Sequence, residues 1–276
     1  MPLPDDSPVV RVARRAKREL LDLVEAPTRG TLVPPRRLRV QVGNESEFFE
    51  EGKKTVRFLV SLLKLKPEEN ILDVGCGCGR VAVPLTKYIN EKGAYFGFDI
   101  NEKCIRWCTQ NISPKFPNFN FKLADIYNKN YNVRGKGKGS EYKFPYADDF
   151  FDVAFLSSVF THMLPPDVEN YLSEISRVLR PSGRCLITYF IINEESQRLN
   201  ALQPSQKRFK DLKQGHFAQN ELNPEAAIAY REETIKTLHE KYKLPIKKIY
   251  YGNWCGREKF TAYQDMVVSH KNVIKC

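Results

Sequence analysis

Between Asn70 and Ile191 the apolar residues fall into short runs that alternate with stretches of helical period. The runs Ile71–Val74, Ala94–Phe98, Phe119–Leu123, Asp152–Leu156 and Arg184–Ile191 read as strands. Arg80–Asn90, Glu102–Asn111 and Asp167–Arg180 read as the intervening helices. The last is the clearest, with Val168, Tyr171, Leu172, Ile175, Val178 and Leu179 on one face and Pro-Ser-Gly as its stop. Upstream, "FFEEGKKTVRFLVSLLKL" keeps helical spacing through Phe58, Leu59, Leu62 and Leu63, and a further helix is expected over Val12–Glu25. Such alternation requires crossover connections, hence a parallel sheet with helices on both faces.

Composition narrows the reading. The chain has 276 residues, enough for one large α/β domain with appendages. Its formal charge of +11 is scattered rather than massed, which favours acidic ligands or surfaces without naming nucleic acid. No apolar stretch approaches membrane-spanning length, and "MPLPDDSPVV" lacks the pattern of a leader peptide, so a cytoplasmic protein is expected. Seven cysteines in unpatterned positions suggest no disulfide framework. Residues 1–45, rich in Pro and Arg, read either as a lid or docking arm or as a poorly ordered tail.

The chemistry concentrates in "ILDVGCGCGRVAVPL", where the first strand of the alternation passes into its helix. Glycines there allow positive φ and close approach of a ligand to backbone at a helix N-terminus. Two ligand classes compete. Gly77, Gly79 and Ala82 match the G-x-G-x-x-A form of a dinucleotide fingerprint, with Asp99 at the distance of a ribose-binding acid. Asp73 argues for the other class: a carboxylate just before the loop repels a pyrophosphate and attracts the ammonium and sulfonium charges of S-adenosylmethionine.

At this point the chain resembles the class I S-adenosylmethionine-dependent methyltransferases, notably the bacterial small-molecule type, whose first motif is an acid followed by G-x-G-x-G. Here it stands as Asp73, Gly75, Gly77 and Gly79. The resemblance covers most of residues 50–275. It implies an α/β, Rossmann-like seven-stranded sheet, mostly parallel with a reversed last strand, which the alternating runs of "IKKIYYGNWCGREKFTAYQDMVVSHK" match. It also implies S-adenosylmethionine as cofactor, held by Asp73, Gly75, Cys76, Gly77 and Gly79. Asp99, followed by Ile100, would take the ribose, because a carboxylate can accept hydrogen bonds from both hydroxyls. Asp125 would accept from the adenine amino group, Ile126 would pack on the ring, and Ser157 would line the methionine side.

In the segment "FDVAFLSSVFTHML", similar to family members whose fourth strand ends beside the methyl group, Phe160 and Thr161 would face the acceptor. His162 reads either as a general base, since the unperturbed pKa of histidine lies near neutrality, or as a residue that fixes the loop before "LPPD". Positioning alone can also suffice for methyl transfer. The Asp/Asn-Pro-Pro-aromatic signature of amino-methylating nucleic-acid enzymes is missing, as is the Pro-Cys of cytosine-C5 enzymes, so a nucleic-acid substrate is not expected. Cys76 and Cys78 have no partners at zinc-like spacing, and no metal site is expected.

Residues from about 193 to 243 delay the sixth strand far beyond an ordinary connection and read as an inserted cap with a helix over Pro224–Tyr242. His216 and Tyr230 in it, and Trp254 in the loop beyond it, are expected acceptor contacts. The expectation is a methyltransferase domain over 46–276 that acts on a small-molecule acceptor, an acidic one if the net charge is a guide, at oxygen. A peptide, protein or RNA acceptor is the first alternative, and a dinucleotide oxidoreductase or a binding protein without chemistry the second.

Overall fold

The computed structural model describes residues 8–43, 46–202, 208–213 and 215–272; parts of the expected arm, cap and C-terminus (1–7, 44–45, 203–207, 214 and 273–276) lie outside the described residues. Three helices lead in: α1 (Pro8–Glu25), α2 (Arg36–Arg39) and α3 (Phe48–Leu62). Then follow β1 (Asn70–Val74), α4 (Ala82–Leu85), β2 (Ala94–Asp99), α5 (Glu102–Asn111), β3 (Phe119–Leu123), β4 (Phe151–Leu156), α6 (Pro165–Val178) and β5 (Leu179–Tyr189). The next segment carries β6 (Ile191–Ile192), α7 (Glu194–Leu202), β7 (Lys210–Asp211), β8 (Phe217–Ala218), β9 (Ile228–Arg231) and α8 (Glu232–Lys241). The chain closes with β10 (Ile246–Tyr250) and β11 (Asp265–His270).

Seven strands form one sheet in the order β10-β11-β5-β4-β1-β2-β3. β1 to β5 are parallel, and β11 runs antiparallel to both β5 and β10, which is the reversed strand of the expected fold. Strands covered on both faces read as continuous apolar runs, as all six buried residues of β4 do. Successive side chains of β1 divide between the faces: Leu72 and Val74 pack with Ile175 and Val178 of α6, whereas Ile71 packs with Leu59 of α3 and Leu85 of α4. The sheet order reverses between β1 and β4, so the crevice beyond the carboxyl end of β1 is where this fold class takes ligands.

Two expected helices differ. The helix expected over Arg80–Asn90 is regular only over Ala82–Leu85. Pro84 has no N–H to return to the Arg80 carbonyl, and that oxygen instead faces Gly52 of α3, where a Cβ would stand 2.1 Å from it. The helix expected from Pro224 begins only at Glu232, because the apolar run Ile228–Tyr230 is spent on β9, which pairs with β6 and β8. A short apolar run serves strand or helix equally well by pattern, and Glu232 and Glu233 mark the true helix start. The small sheet β6-β9-β8-β7 has a core of its own, including Phe190, Ile192, Phe217, Ala229 and Trp254. Among the described residues no helix is long and apolar enough to cross a membrane.

Candidate active site

A cavity of about 330 Å³ opens at the carboxyl ends of β1, β2 and β4. Its floor is the loop after β1, hung on the neighbouring strand: the N–H groups of Gly75 and Cys76 donate to the Phe98 carbonyl at 2.8 and 3.1 Å. Asp99 completes the fixation. One carboxylate oxygen accepts from the Gly77 N–H at 2.8 Å and the other from the Asn101 N–H at 2.8 Å. Gly77 sits at φ +54°, and a Cβ there would stand 2.2 Å from Val42 Cγ1. Glycine is therefore required twice, for the left-handed backbone and for the close approach of the N-terminal segment.

That segment reaches the loop through a charged clamp. Asp22 of α1, 3% exposed, accepts from the backbone N–H groups of Arg36 and Arg37 at 2.5 and 3.4 Å, and Glu25 pairs with Arg36 and with Arg39 at 2.9 Å. The short helix so held delivers Gln41, Val42 and Gly43 to the cavity wall, where Arg80 Nη1 donates to the Val42 carbonyl at 2.5 Å.

Asp73 lies in the same wall, 2% exposed. Burial pushes its carboxyl up to about 7; the hydrogen bond from Tyr95 works against that rise and the nearby Asp99 adds to it. Burial also raises Asp99, against the backbone N–H groups that favour its charged form. Two adjacent carboxyls so destabilised as anions form a site poised for a cation or for several hydrogen-bond donors. Gly75, Cys76, Gly77, Ile100, Ile126 and Ser157 are in the wall with them.

The other expected cofactor contacts stand elsewhere. A Cβ on Gly79 would meet Ile112 Cδ1 at 2.8 Å and Cys108 Sγ at 3.3 Å, so this glycine serves close packing against α5. Asp125 is exposed, and its carboxylate accepts from the Lys136 N–H at 3.3 Å in the loop beyond β3. Cys76 Sγ lies over Gly97, where a Cβ would stand 2.9 Å from it. All six described cysteines are buried thiols.

The far end of the cavity is polar. His162 Nδ1 lies 2.8 Å from the Glu225 carbonyl, which can only accept, so Nδ1 carries a proton and Nε2 is the nitrogen free to bind or release one. Nε2 is 3.5 Å from Tyr131 Oη. Asn128 Nδ2 donates to Glu225 Oε1 at 2.8 Å, joining the loop after β3 to the inserted segment. Asp167 completes this end, and burial raises the carboxyls of both Asp167 and Glu225.

The remaining expected acceptor contacts are packing residues. Phe160 and Thr161 are fully buried beneath the wall, Tyr230 donates its hydroxyl to the Met163 carbonyl at 2.5 Å, and His216 is buried in the small sheet. Trp254, also fully buried, donates Nε1 to Asp265 Oδ2 at 2.6 Å. Sequence reasoning missed Val42, Tyr131, Asp167 and Glu225, none of which belongs to a local motif.

The profile of the methyltransferase domain family matches residues 65–241. The chain is 24% identical over 238 residues to an uncharacterized methyltransferase, YcgJ, of Bacillus subtilis, covering 83% of this chain and 80% of that one. In structure it resembles the PH0226 protein of Pyrococcus horikoshii with a TM-score of 0.56 at 17% identity, over 83% of this chain and 93% of the other. A 1,6-didemethyltoxoflavin-N1-methyltransferase of Burkholderia thailandensis, solved with its acceptor and S-adenosylhomocysteine, gives a TM-score of 0.52 at 15% identity, over 99% and 93% of the two chains. The matched region spans only about half the length of the quinone methyltransferases that the chain also resembles.

Proposed function

The chain belongs to the methyltransferase domain family and is an S-adenosylmethionine-dependent enzyme, and from that premise we propose that it methylates the hydroxyl oxygen of a small, uncharged or cationic acceptor. The observation that carries this reading is the composition of one continuous cavity: Asp73 and Asp99 at the glycine loop, and His162, Asp167 and Glu225 at the opposite end. Its carboxyl groups outweigh the single arginine, Arg80, so the lining disfavours an anionic acceptor even though the whole chain is basic.

When bound, S-adenosylmethionine supplies an electrophilic methyl group on a positively charged sulfur. Asp73 would hold positive charge, Asp99 would accept from the ribose hydroxyls, and Ile100 and Ile126 would flank the adenine. Ser157 would line the passage between the two ends. His162, oriented by the Glu225 carbonyl, would take the proton of the acceptor hydroxyl on Nε2. Glu225 and Asp167 would accept hydrogen bonds from the acceptor's other polar groups. Residues 36–43 and the inserted segment about Glu225 would act as lid and cap, excluding water and fixing an in-line approach.

The test is incubation with deuteromethyl-labelled S-adenosylmethionine and separate pools of neutral polyols, amines, carboxylic acids, peptides and RNA, read by mass spectrometry. Label in hydroxyl-bearing neutral or basic molecules supports the proposal. Label confined to carboxylic acids, peptides or RNA overturns it.

A further inference from the structure

Helix α1 is mounted with its polar side inward. Asp22 and Glu25 face the body, where they hold Arg36, Arg37 and Arg39, while Val12, Leu20, Leu23 and Val24 are 67%, 62%, 71% and 69% exposed. Ala13 and Ala16 are exposed as well. At 100° per residue these six side chains fall within a sector of about 120°, the width of the stripe that a helix ordinarily buries. The carboxylate clamp thus presents an apolar stripe to the outside.

Charge says what suits it. Lys17, exposed, borders the stripe on one side, and on the other stand Glu19 and Arg15, exposed and paired with each other at 3.0 Å. Beside α1 a broad groove toward α5 carries Arg18, Arg37, Lys103, Arg106 and Arg134 against Glu19 and Glu102. An apolar stripe beside a net positive groove matches a surface with hydrocarbon beneath negative headgroups. A second copy of the chain matches poorly, because the groove beside the helix is net positive in both copies. We propose that α1 docks the protein peripherally on an anionic lipid bilayer, with Leu20 and Leu23 in the boundary between headgroups and acyl chains and the groove cations toward the headgroups. This docking is independent of which acceptor the cavity takes.

The test uses the full chain with sedimented vesicles of phosphatidylcholine, with or without phosphatidylglycerol. The chain should partition onto the phosphatidylglycerol vesicles, weakly onto phosphatidylcholine alone, and less at high salt. Leu20→Glu with Leu23→Glu should lower the partition roughly tenfold or more while leaving the thermal midpoint unchanged, since both side chains are exposed. Arg15→Glu with Lys17→Glu should weaken binding to the anionic vesicles and not to the neutral ones. Absence of anionic-vesicle binding, equal binding by the leucine variant, or a dimer that the leucine variant dissolves in the absence of vesicle binding would overturn the proposal.

Discussion

The hydroxyl of Tyr95 donates to Asp73 Oδ2 at 2.6 Å across two neighbouring parallel strands, with both side chains buried. Burial still holds the Asp73 carboxyl up at about 7, the Tyr95 bond opposing the shift and Asp99 reinforcing it. A bound cation favours the ionised form, so affinity for S-adenosylmethionine should fall as pH drops below about 7, by up to tenfold per unit, with proton release near neutrality. Calorimetry in buffers of different ionisation enthalpy reads both, and Tyr95→Phe should move the fall to higher pH. A flat affinity between about pH 5.5 and 7.5 would speak against Asp73 as the charge partner. In the unliganded protein the sign is opposite. The folded state holds the Asp73 proton above its ordinary range, so this group's contribution to stability declines as pH rises toward about 7.

Asp99→Asn should keep the size of the side chain but remove its charge and one of the two oxygens that accept from the Gly77 and Asn101 N–H groups. Cofactor-product affinity should weaken by about 1.5–3 kcal/mol, the range for hydrogen bonds to a charged acceptor. Titration with S-adenosylhomocysteine measures it, and a change below threefold would remove Asp99 from the ribose role.

Gly77→Ala places a methyl group on Val42 and asks alanine to hold φ +54°. The strain alone is about 1–2 kcal/mol. Residues 36–43 should be displaced, so limited proteolysis should cut between α2 and α3 faster than in the parent, together with weaker cofactor binding. Unchanged cleavage would mean that Val42 does not seat on the loop.

His162→Gln keeps a polar side chain beside the Glu225 carbonyl and removes the basic nitrogen. Turnover on the true acceptor should fall by at least about a hundredfold, the lower range for acid–base catalysis, with S-adenosylhomocysteine affinity unchanged. Turnover near the parent value would leave positioning alone as the mechanism. Glu225→Gln should instead raise the acceptor KM, since that side chain stands at the polar end on Asn128.

What could be read from the sequence was local. β1 and β4, in the middle of the sheet, are apolar because both their faces are covered, and the acid–glycine sequence that ends β1 carries its own backbone demands in Gly75 and Gly77. The acceptor end was not legible, because it is assembled over long separations: Asn128 meets Glu225 across 97 residues, and the Glu225 carbonyl meets His162 across 63. Aromatic identity misled where burial decides. Trp254 and Tyr230 look like pocket residues, yet each spends its polar atom inward, on Asp265 and on the Met163 carbonyl. The foreshortened α4 was foreseeable in principle from Pro84; the partner for the stranded carbonyl, Gly52, was not.

A calorimetric titration of the purified chain with S-adenosylhomocysteine and, separately, with NAD and NADP decides which ligand the glycine loop holds. One molecule of S-adenosylhomocysteine should bind per chain, Asp73→Ala and Asp99→Asn should each weaken it, and neither dinucleotide should compete. Tighter binding of a nicotinamide dinucleotide, with S-adenosylhomocysteine failing to displace it, would show that Asp73 and Asp99 hold a different ligand.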